Sequence, residues 1–417
     1  MKIGAFSYYM EQQELIPHLF RTEYSKITSV LCKLFGVEHI EIAEDIASET
    51  FLLAFETWHY KGVPPNPAAW LYATAKNKAK NYFNHHKIFT EKILKQIQSS
   101  NIKEEEIEID LSEKNITDSQ LQMLFAICQP SISIEAQIAL SLRILCGFGI
   151  DEIADAFLTN KETINKRLFR AKEKLRIEKI QIKFPDKIEI DKRLETVLTT
   201  LYLLFSEGYY SERQNAVIRK GLCLEAMRLA YLLIENEQTN QHSTNALLSL
   251  MCFHSSRLDA RATENGEIIL YQDQDENLWN DELILKGNYY LQQASNWDIV
   301  SKYYLEASIA YWHTIKEDTK EKWENILQLY NHLLQLEYSP IAALNRTFAL
   351  SKARNKETAL VEAEKLNLTN NHFYHILLGE LCKGVDNIKA KKHFQMAFSL
   401  AKTQAEKNTI KKKIDEL

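Results

Sequence analysis

The chain has 417 residues, 45% hydrophobic and 26% charged, enough to bury cores for roughly two or three domains. Glycine (11) and proline (7) are scarce against usual shares of about 7% and 5%, which argues against turn-rich β architectures and glycine-rich phosphate loops. The net charge of −5 confines any nucleic-acid-binding surface to a local patch.

Residues 1–87 read as helical and aromatic. Within them "AEDIASETFLLAFETW" (43–58) is a helix with a clean apolar stripe, yet its opposite face is acidic and leaves Leu52 exposed. A Pro-rich corner, "KGVPPNPAAW" (61–70), leads into a second helix over 67–87, with Asn66 as its cap and Pro67 in its first turn. Leu71, Ala75, Ala79 and Tyr82 form the expected inner stripe. Asn77, Asn81 and Asn84 share another face, flanked by Lys76, Lys80 and Lys87, with no acidic residue in the segment. Amides, cations and nearby aromatics suit unpaired bases, which need stacking surfaces and edge hydrogen bonds as well as phosphate contacts.

Residues 88–117 are polar and acidic and read as a linker. From 118 to 183 helical periodicity returns. Ile150 to Phe157 gives a short helix, Leu158 to Asn160 a turn, and Thr159 with Glu162 a possible capping box. A longer helix follows, placing Ile164, Leu168, Ala171 and Leu175 back against Ile153, Ala154 and Phe157. This is the spacing of a helix-turn-helix with the recognition helix second. Lys161, Glu162, Thr163, Asn165, Lys166 and Arg170 are the candidate outward residues, with Arg167, Lys172, Lys174 and Arg176 along the flanks. Residues 161–183 hold nine basic and three acidic residues, and this charge together with the turn spacing favours a DNA-binding helix over an ordinary solvated one.

The block 190–417 reads as consecutive helices. "EIILYQ" (267–272) is the one stretch with strand character. "ALNRTFALSKARNKETALVEAEKL" and "YHILLGELCKGVDNIKAKKHFQMAF" superpose at a spacing of 31 residues. The second copy puts Tyr374, Leu377, Leu381, Ala390, Phe394 and Ala397 at large and small positions of a tetratricopeptide-like pair, with Leu378 at the usual glycine position. "DQDEN" (273–277) has carboxylates at EF-hand spacing, but Leu278 and Ile284 stand where Gly and Glu are needed, so a helix cap is expected instead. Six scattered cysteines sit in apolar runs and read as buried thiols. No catalytic motif, metal-ligand spacing or cofactor loop is present, and the chain is expected not to be an enzyme and to need no cofactor. No apolar run approaches the roughly 20 residues of a membrane span, and Glu11 and Glu14 precede any signal-like core. A soluble, cytoplasmic protein is expected.

"AEDIASETFLLAFETW", "NPAAWLYATAKNKAKNYF" and the helix-turn-helix, in this order and spacing over residues 10–180, resemble bacterial sigma factors of the extracytoplasmic-function group. "LYLLFSEGYYS" (201–211), "ALLSLMCFHSSRLDAR" (246–261), "YQDQDENLW" (271–279) and "SPIAALNR" (339–346) resemble the long C-terminal extension of one subgroup. Leu158 departs from the group's usual turn glycine. The resemblance implies an all-α fold: a sigma domain over 1–87, the acidic linker 88–117, a helix-turn-helix sigma domain over 118–183, and a larger tetratricopeptide-like regulatory domain over 190–417. It also implies core RNA polymerase and promoter DNA as partners, and leaves open a protein or ligand at the C-terminal domain.

On that resemblance Ala43, Ile46, Ala47, Phe51, Ala54 and Trp58 face the core. Asp45, Ser48, Glu49, Leu52 and Glu56 meet the clamp helices of the polymerase β′ subunit, and the acidic linker threads the polymerase channel along β and β′. The loop "YKGVPPN" with Asn77, Lys80, Asn81 and Asn84 would take the opened minus-ten strand. Glu162, Asn165 and Lys166 would read bases of the minus-thirty-five element, and Arg167, Arg170 and Lys172 would hold phosphates. The alternative is a DNA-binding helix-turn-helix regulator with a helical sensor domain that never joins polymerase; such a protein needs neither the 43–58 nor the 67–87 segment.

Overall fold

The computed structural model describes residues 2–86, 109–209, 216–261, 269, 271–295 and 300–417, and of residues 2–14, 84–86, 216–219, 272 and 405 only the backbone. Among the described residues the fold is all helical and contains no strand. It divides into two compact units, residues 1–204 and 205–417.

In the first unit, α1 (Lys2–Phe35) contributes Tyr24, Ile27, Leu31 and Phe35 to the core. Gly36, at φ 84°, ends it, and α2 (Ile40–Lys61) returns along it. Alanines at positions 43, 47 and 54 bring the backbones close, while Phe51 and Trp58 fill the interior between them. Gly62, at φ 81°, closes α2 with a bond to the Trp58 carbonyl at 3.1 Å. The corner then starts α3 (Pro67–His86), where Asn66 Oδ1 accepts the Ala69 N–H at 3.0 Å. Its inner stripe is Leu71, Ala75, Ala79 and Phe83 rather than Tyr82. Tyr82 sits half-buried with its ring edge on Phe35.

Helix α4 (Glu113–Ile127) begins inside the segment read as linker, because Ser112 caps it by accepting from Asn115 N. Residues 88–108 of that segment lie outside the described residues. α5 (Ile134–Leu140) runs into a wide π turn, Ser141–Leu145, followed by α6 (Ile150–Ala156) and α7 (Lys161–Ile177). The cap of α7 is Asn160, whose side chain accepts from Thr163 N at 2.8 Å, and not Thr159. Leu158 holds the left-handed turn position at φ 50°.

α8 (Lys187–Tyr209) carries the boundary between the units, after Leu204. Its first half belongs to the first unit: Thr200 donates to Gln137 Oε1 at 2.7 Å and Arg193 bonds the Phe125 carbonyl. The body of the first unit therefore extends beyond residue 190.

The second unit is built on α10 (His242–Ser255), buried over almost its whole length. α9 (Ala216–Glu235), α11 (Asp281–Ala294) and α12 (Lys302–Trp312) complete this part. At Gly287 a Cβ would stand 2.6 Å from the Phe253 ring, so glycine permits the contact of α10 with α11. Of the stretch read as a strand, residues 267, 268 and 270 lie outside the described residues; a 3-10 turn stands at Tyr271–Asp273, and Asp275 caps a second at Glu276–Leu278.

Consecutive packed helices follow: α13 (Lys320–Leu336), α14 (Pro340–Ala353), α15 (Lys356–Leu366), α16 (His372–Cys382), α17 (Asn387–Leu400) and α18 (Gln404–Asp415). Tyr374, Leu377, Leu381, Ala390, Phe394 and Ala397 are all buried. The close approach of α16 and α17 falls at Gly379, where a Cβ would lie 2.6 Å from Phe394, one residue beyond the position expected. All six cysteines are buried, and none forms a disulfide.

Candidate nucleic-acid and polymerase interface

Helix α2 places Asp45, Ser48, Glu49, Leu52 and Glu56 on its exposed face. Leu52 is 57% exposed, and it is not alone: Phe55 is 64% exposed, with Leu53 and Tyr60 also in solvent. The sequence reading gave this face one apolar anchor and missed Phe55. The signal was there, since Phe51, Ala54 and Trp58 already fill the core stripe and leave "LLAF" with apolar residues to spare. An acidic face with clustered apolar side chains is unusual on a lone folded unit. Glu49 pairs with Lys78 of α3 at 2.7 Å, which fixes the two helices side by side.

On α3, Asn77 and Asn81 are exposed and Lys80 is half-buried on a face free of acidic side chains; the Asn84 side chain lies outside the described residues. Beside the helix lies an open cleft of about 320 Å³ lined by Ala69, Tyr72, Lys76, Asp110 and Ser112, among others. Tyr72 donates to Glu23 at 2.5 Å; burial, reinforced by Glu23, pushes its phenol well above the ordinary range, so it stays a donor.

On α7, Glu162, Asn165, Lys166 and Arg170 are exposed and Thr163 is half-buried in the first turn. Lys161 pairs with Asp151 at 2.5 Å, and the Arg167 guanidinium lies 4.9 Å from the Phe157 ring centre. Lys172 requires a correction. It is buried, its ammonium bonded to Glu44 of α2 and 3.8 Å from Glu41. Arg143, turned inward by the π turn, donates to the other Glu44 oxygen at 2.8 Å, and Arg176 pairs with Glu41. A lysine neutralised by a buried carboxylate is no phosphate contact in this conformation. Arg21 of α1 adds a bond to Glu152 of α6 at 2.5 Å. Tyr24, 5.6 Å beneath Arg143, is pushed up to about 12 by burial, with Arg143 pulling the other way. The helices carrying the two candidate faces are thus bonded directly to each other.

Comparison with known proteins fits this geometry. Residues 19–87, which span α2 and α3, match Sigma-70 region 2, and residues 193–295 match a family of unknown function (DUF6596). An uncharacterized protein of Rhizobium meliloti is 31% identical over 387 residues, covering 91% of this chain and 90% of its own. No solved structure matches. Among the described residues no helix is long and apolar enough to cross a membrane. With a sigma region 2 at one end and the helical domain of unknown function after it, the chain belongs to the extracytoplasmic-function-like sigma factors with a long C-terminal extension, proteins of transcription initiation.

Proposed function

We propose that this sigma factor directs core RNA polymerase to a specific class of promoters and that its C-terminal domain modulates this in cis. The observation that carries the reading is the face of α2, where Leu52 and Phe55 stand exposed among Asp45, Ser48, Glu49 and Glu56. The packing of the first unit leaves both of these apolar side chains in solvent. The face suits a charge-complementary dock around an apolar centre, the contact expected with the β′ clamp helices. α3 offers Asn77, Lys80 and Asn81 to the unpaired minus-ten strand, with the open cleft of about 320 Å³ beside it to receive a base. α6 and α7 form the helix-turn-helix, with Glu162, Asn165 and Lys166 towards base edges of the minus-thirty-five element and Arg170 towards phosphate. The successive helix pairs after α13 are read as a tetratricopeptide-like array. The protein acts in the cytoplasm and is not an enzyme.

The two promoter elements lie about 25 base pairs apart, roughly 85 Å at 3.4 Å per pair. Helices bonded through Glu44, Lys172 and Arg143 cannot serve both at once. The free form is therefore a closed one, and promoter engagement opens the contact between α2 and α7. Through differential contacts with these two forms the extension can bias the protein.

The test is capture by purified core polymerase. Leu52→Arg with Phe55→Ser lowers affinity about 10- to 100-fold with an unchanged helical circular dichroism spectrum. Unaltered capture sinks the polymerase assignment and leaves a regulator that binds DNA alone. Truncation after Tyr209 keeps α8 on the first unit and changes promoter-dependent transcription in vitro; equal transcription removes the modulatory role.

A further inference from the structure

Segments of the second unit that the sigma-factor reading leaves without a role meet at one place. Arg257 follows α10; Tyr271, Gln274 and Trp279 come from the irregular stretch before α11; His313 caps α12; and Lys322 lies in the first turn of α13. The Arg257 guanidinium stands 5.5 Å from the Tyr271 ring centre and 5.9 Å from that of Trp279. Lys322 Nζ lies 5.4 Å from the same Tyr271 ring, donates to the Tyr271 hydroxyl at 3.2 Å and to the Ile315 carbonyl at 2.5 Å. The His313 ring meets Tyr271 edge-on at 5.0 Å.

Both cations are enclosed, Arg257 at 6% exposure and Lys322 at 1%. Neither forms an ion pair with a described residue. The nearby carboxylates are taken: Asp318 holds the Trp323 indole N–H and Lys352, and Glu276 holds Lys316. Four buried polar atoms here have no hydrogen-bond partner: Arg257 Nε, Trp279 Nε1, His313 Nδ1 and Gln274 Oε1. Desolvated cations and orphaned donors at such density are costly unless an acceptor of opposite charge completes them.

We propose that this cluster binds the oxyanion group of a small molecule, a carboxylate or a phosphate. Arg257 and Lys322 supply the charge, Trp279 and His313 further donors, and Gln274 an acceptor for a hydroxyl of the ligand. A protein partner's surface does not reach cations buried to this depth, whereas a small anion does. Burial lowers the Lys322 ammonium from its ordinary range, an effect that Asp318 opposes only in part and to which Arg257 adds.

The experiment uses the full-length protein in a buffer free of phosphate and carboxylate. Melting is followed as inorganic phosphate or acetate is added, and native mass spectrometry looks for a low-molecular-weight adduct retained from the cell. Either a retained adduct or a rise in melting temperature of about 3 °C or more for one probe is the expected result. A response to phosphate alone identifies a phosphate group, and a response to acetate alone a carboxylate. Arg257→Gln removes the response. Trp279→Phe, which deletes one N–H and keeps the ring, weakens the probe about fivefold and carries the test if the first variant does not fold. Absence of both adduct and shift, or an equal shift in wild type and both variants, overturns the site. Transcription is not measured, so failure here leaves the proposed function standing.

Discussion

The two units bury charge in opposite ways. In the first, Glu44 takes Arg143 and Lys172 on its two oxygens while Glu41 and Glu173 take Arg176, three cations against three carboxylates. In the second, Arg257 and Lys322 share one aromatic ring and no described carboxylate pairs with either. A balanced cluster ties elements together and is expensive to break; an unbalanced one stores a cost that a ligand can relieve. The first belongs to architecture, here the closed arrangement of α2 and α7, and the second to recognition.

The largest effect that separates the two is the loss of one member. Glu44→Ala takes from Arg143 its carboxylate and from Lys172 the nearer of its two, and costs about 3–5 kcal/mol, seen as lost hydrogen-exchange protection in α2 and α7. Arg257→Met removes a cation that has none, and costs less than about 1 kcal/mol or stabilises the second unit in the absence of ligand. Similar losses in the two variants would break the distinction.

A second effect comes from His313, whose imidazole burial, with Arg257 and Lys322 beside it, pushes down to about 3. His254, lowered by burial and by Arg257 and Arg261, acts in the same sense. The folded value lies below an unfolded value of about 6.5, so the native state binds fewer protons than the unfolded one. Stability that is complete above pH 6.5 is then lost as the pH falls from there towards 3. At pH 5 the loss from His313 alone is about 2 kcal/mol. Urea denaturation of the second unit at pH 7.5 and at pH 5 measures it, and His313→Gln flattens the dependence. A profile as steep in that variant as in the wild type would place the titration elsewhere.

The sequence made the core faces legible because helical period alone decides them: Ala43, Ile46, Ala47, Phe51, Ala54 and Trp58 are all buried. It did not reveal Lys172. On a helical wheel that residue stands among solvated cations, and its partner Glu44 is 128 positions away in the chain. Lys322 stays hidden for the same reason, lying in the polar run "TKEKWEN" yet buried against Tyr271, 51 residues distant. Phe55 failed differently. Periodicity assigns apolar residues to a core, and only once the core is full does an exposed one become visible. The strand reading of 267–272 falls in part outside the described residues, and its last two positions stand in the turn at Tyr271–Asp273.

The smallest effect sharpens the contrast from the other side, since the first unit stores its own uncompensated cost in backbone rather than charge. Leu158 joins α6 to α7 at φ 50° and is exposed, so nothing in packing repays a conformation that costs a side-chain-bearing residue about 1–2 kcal/mol. Glycine takes that conformation freely but loses more entropy on folding, which returns about 0.5–1 kcal/mol of the gain. Leu158→Gly therefore stabilises the first unit by about 0.5–1 kcal/mol, while Leu158→Val, branched at the crowded atom, destabilises it by about 1 kcal/mol. Denaturant midpoints of the two variants, compared with wild type at constant m-value, give both signs in one experiment. If glycine destabilises, the turn is not left-handed in solution, and the helix pair meets at another angle than the one that presents Glu162, Asn165 and Lys166 together.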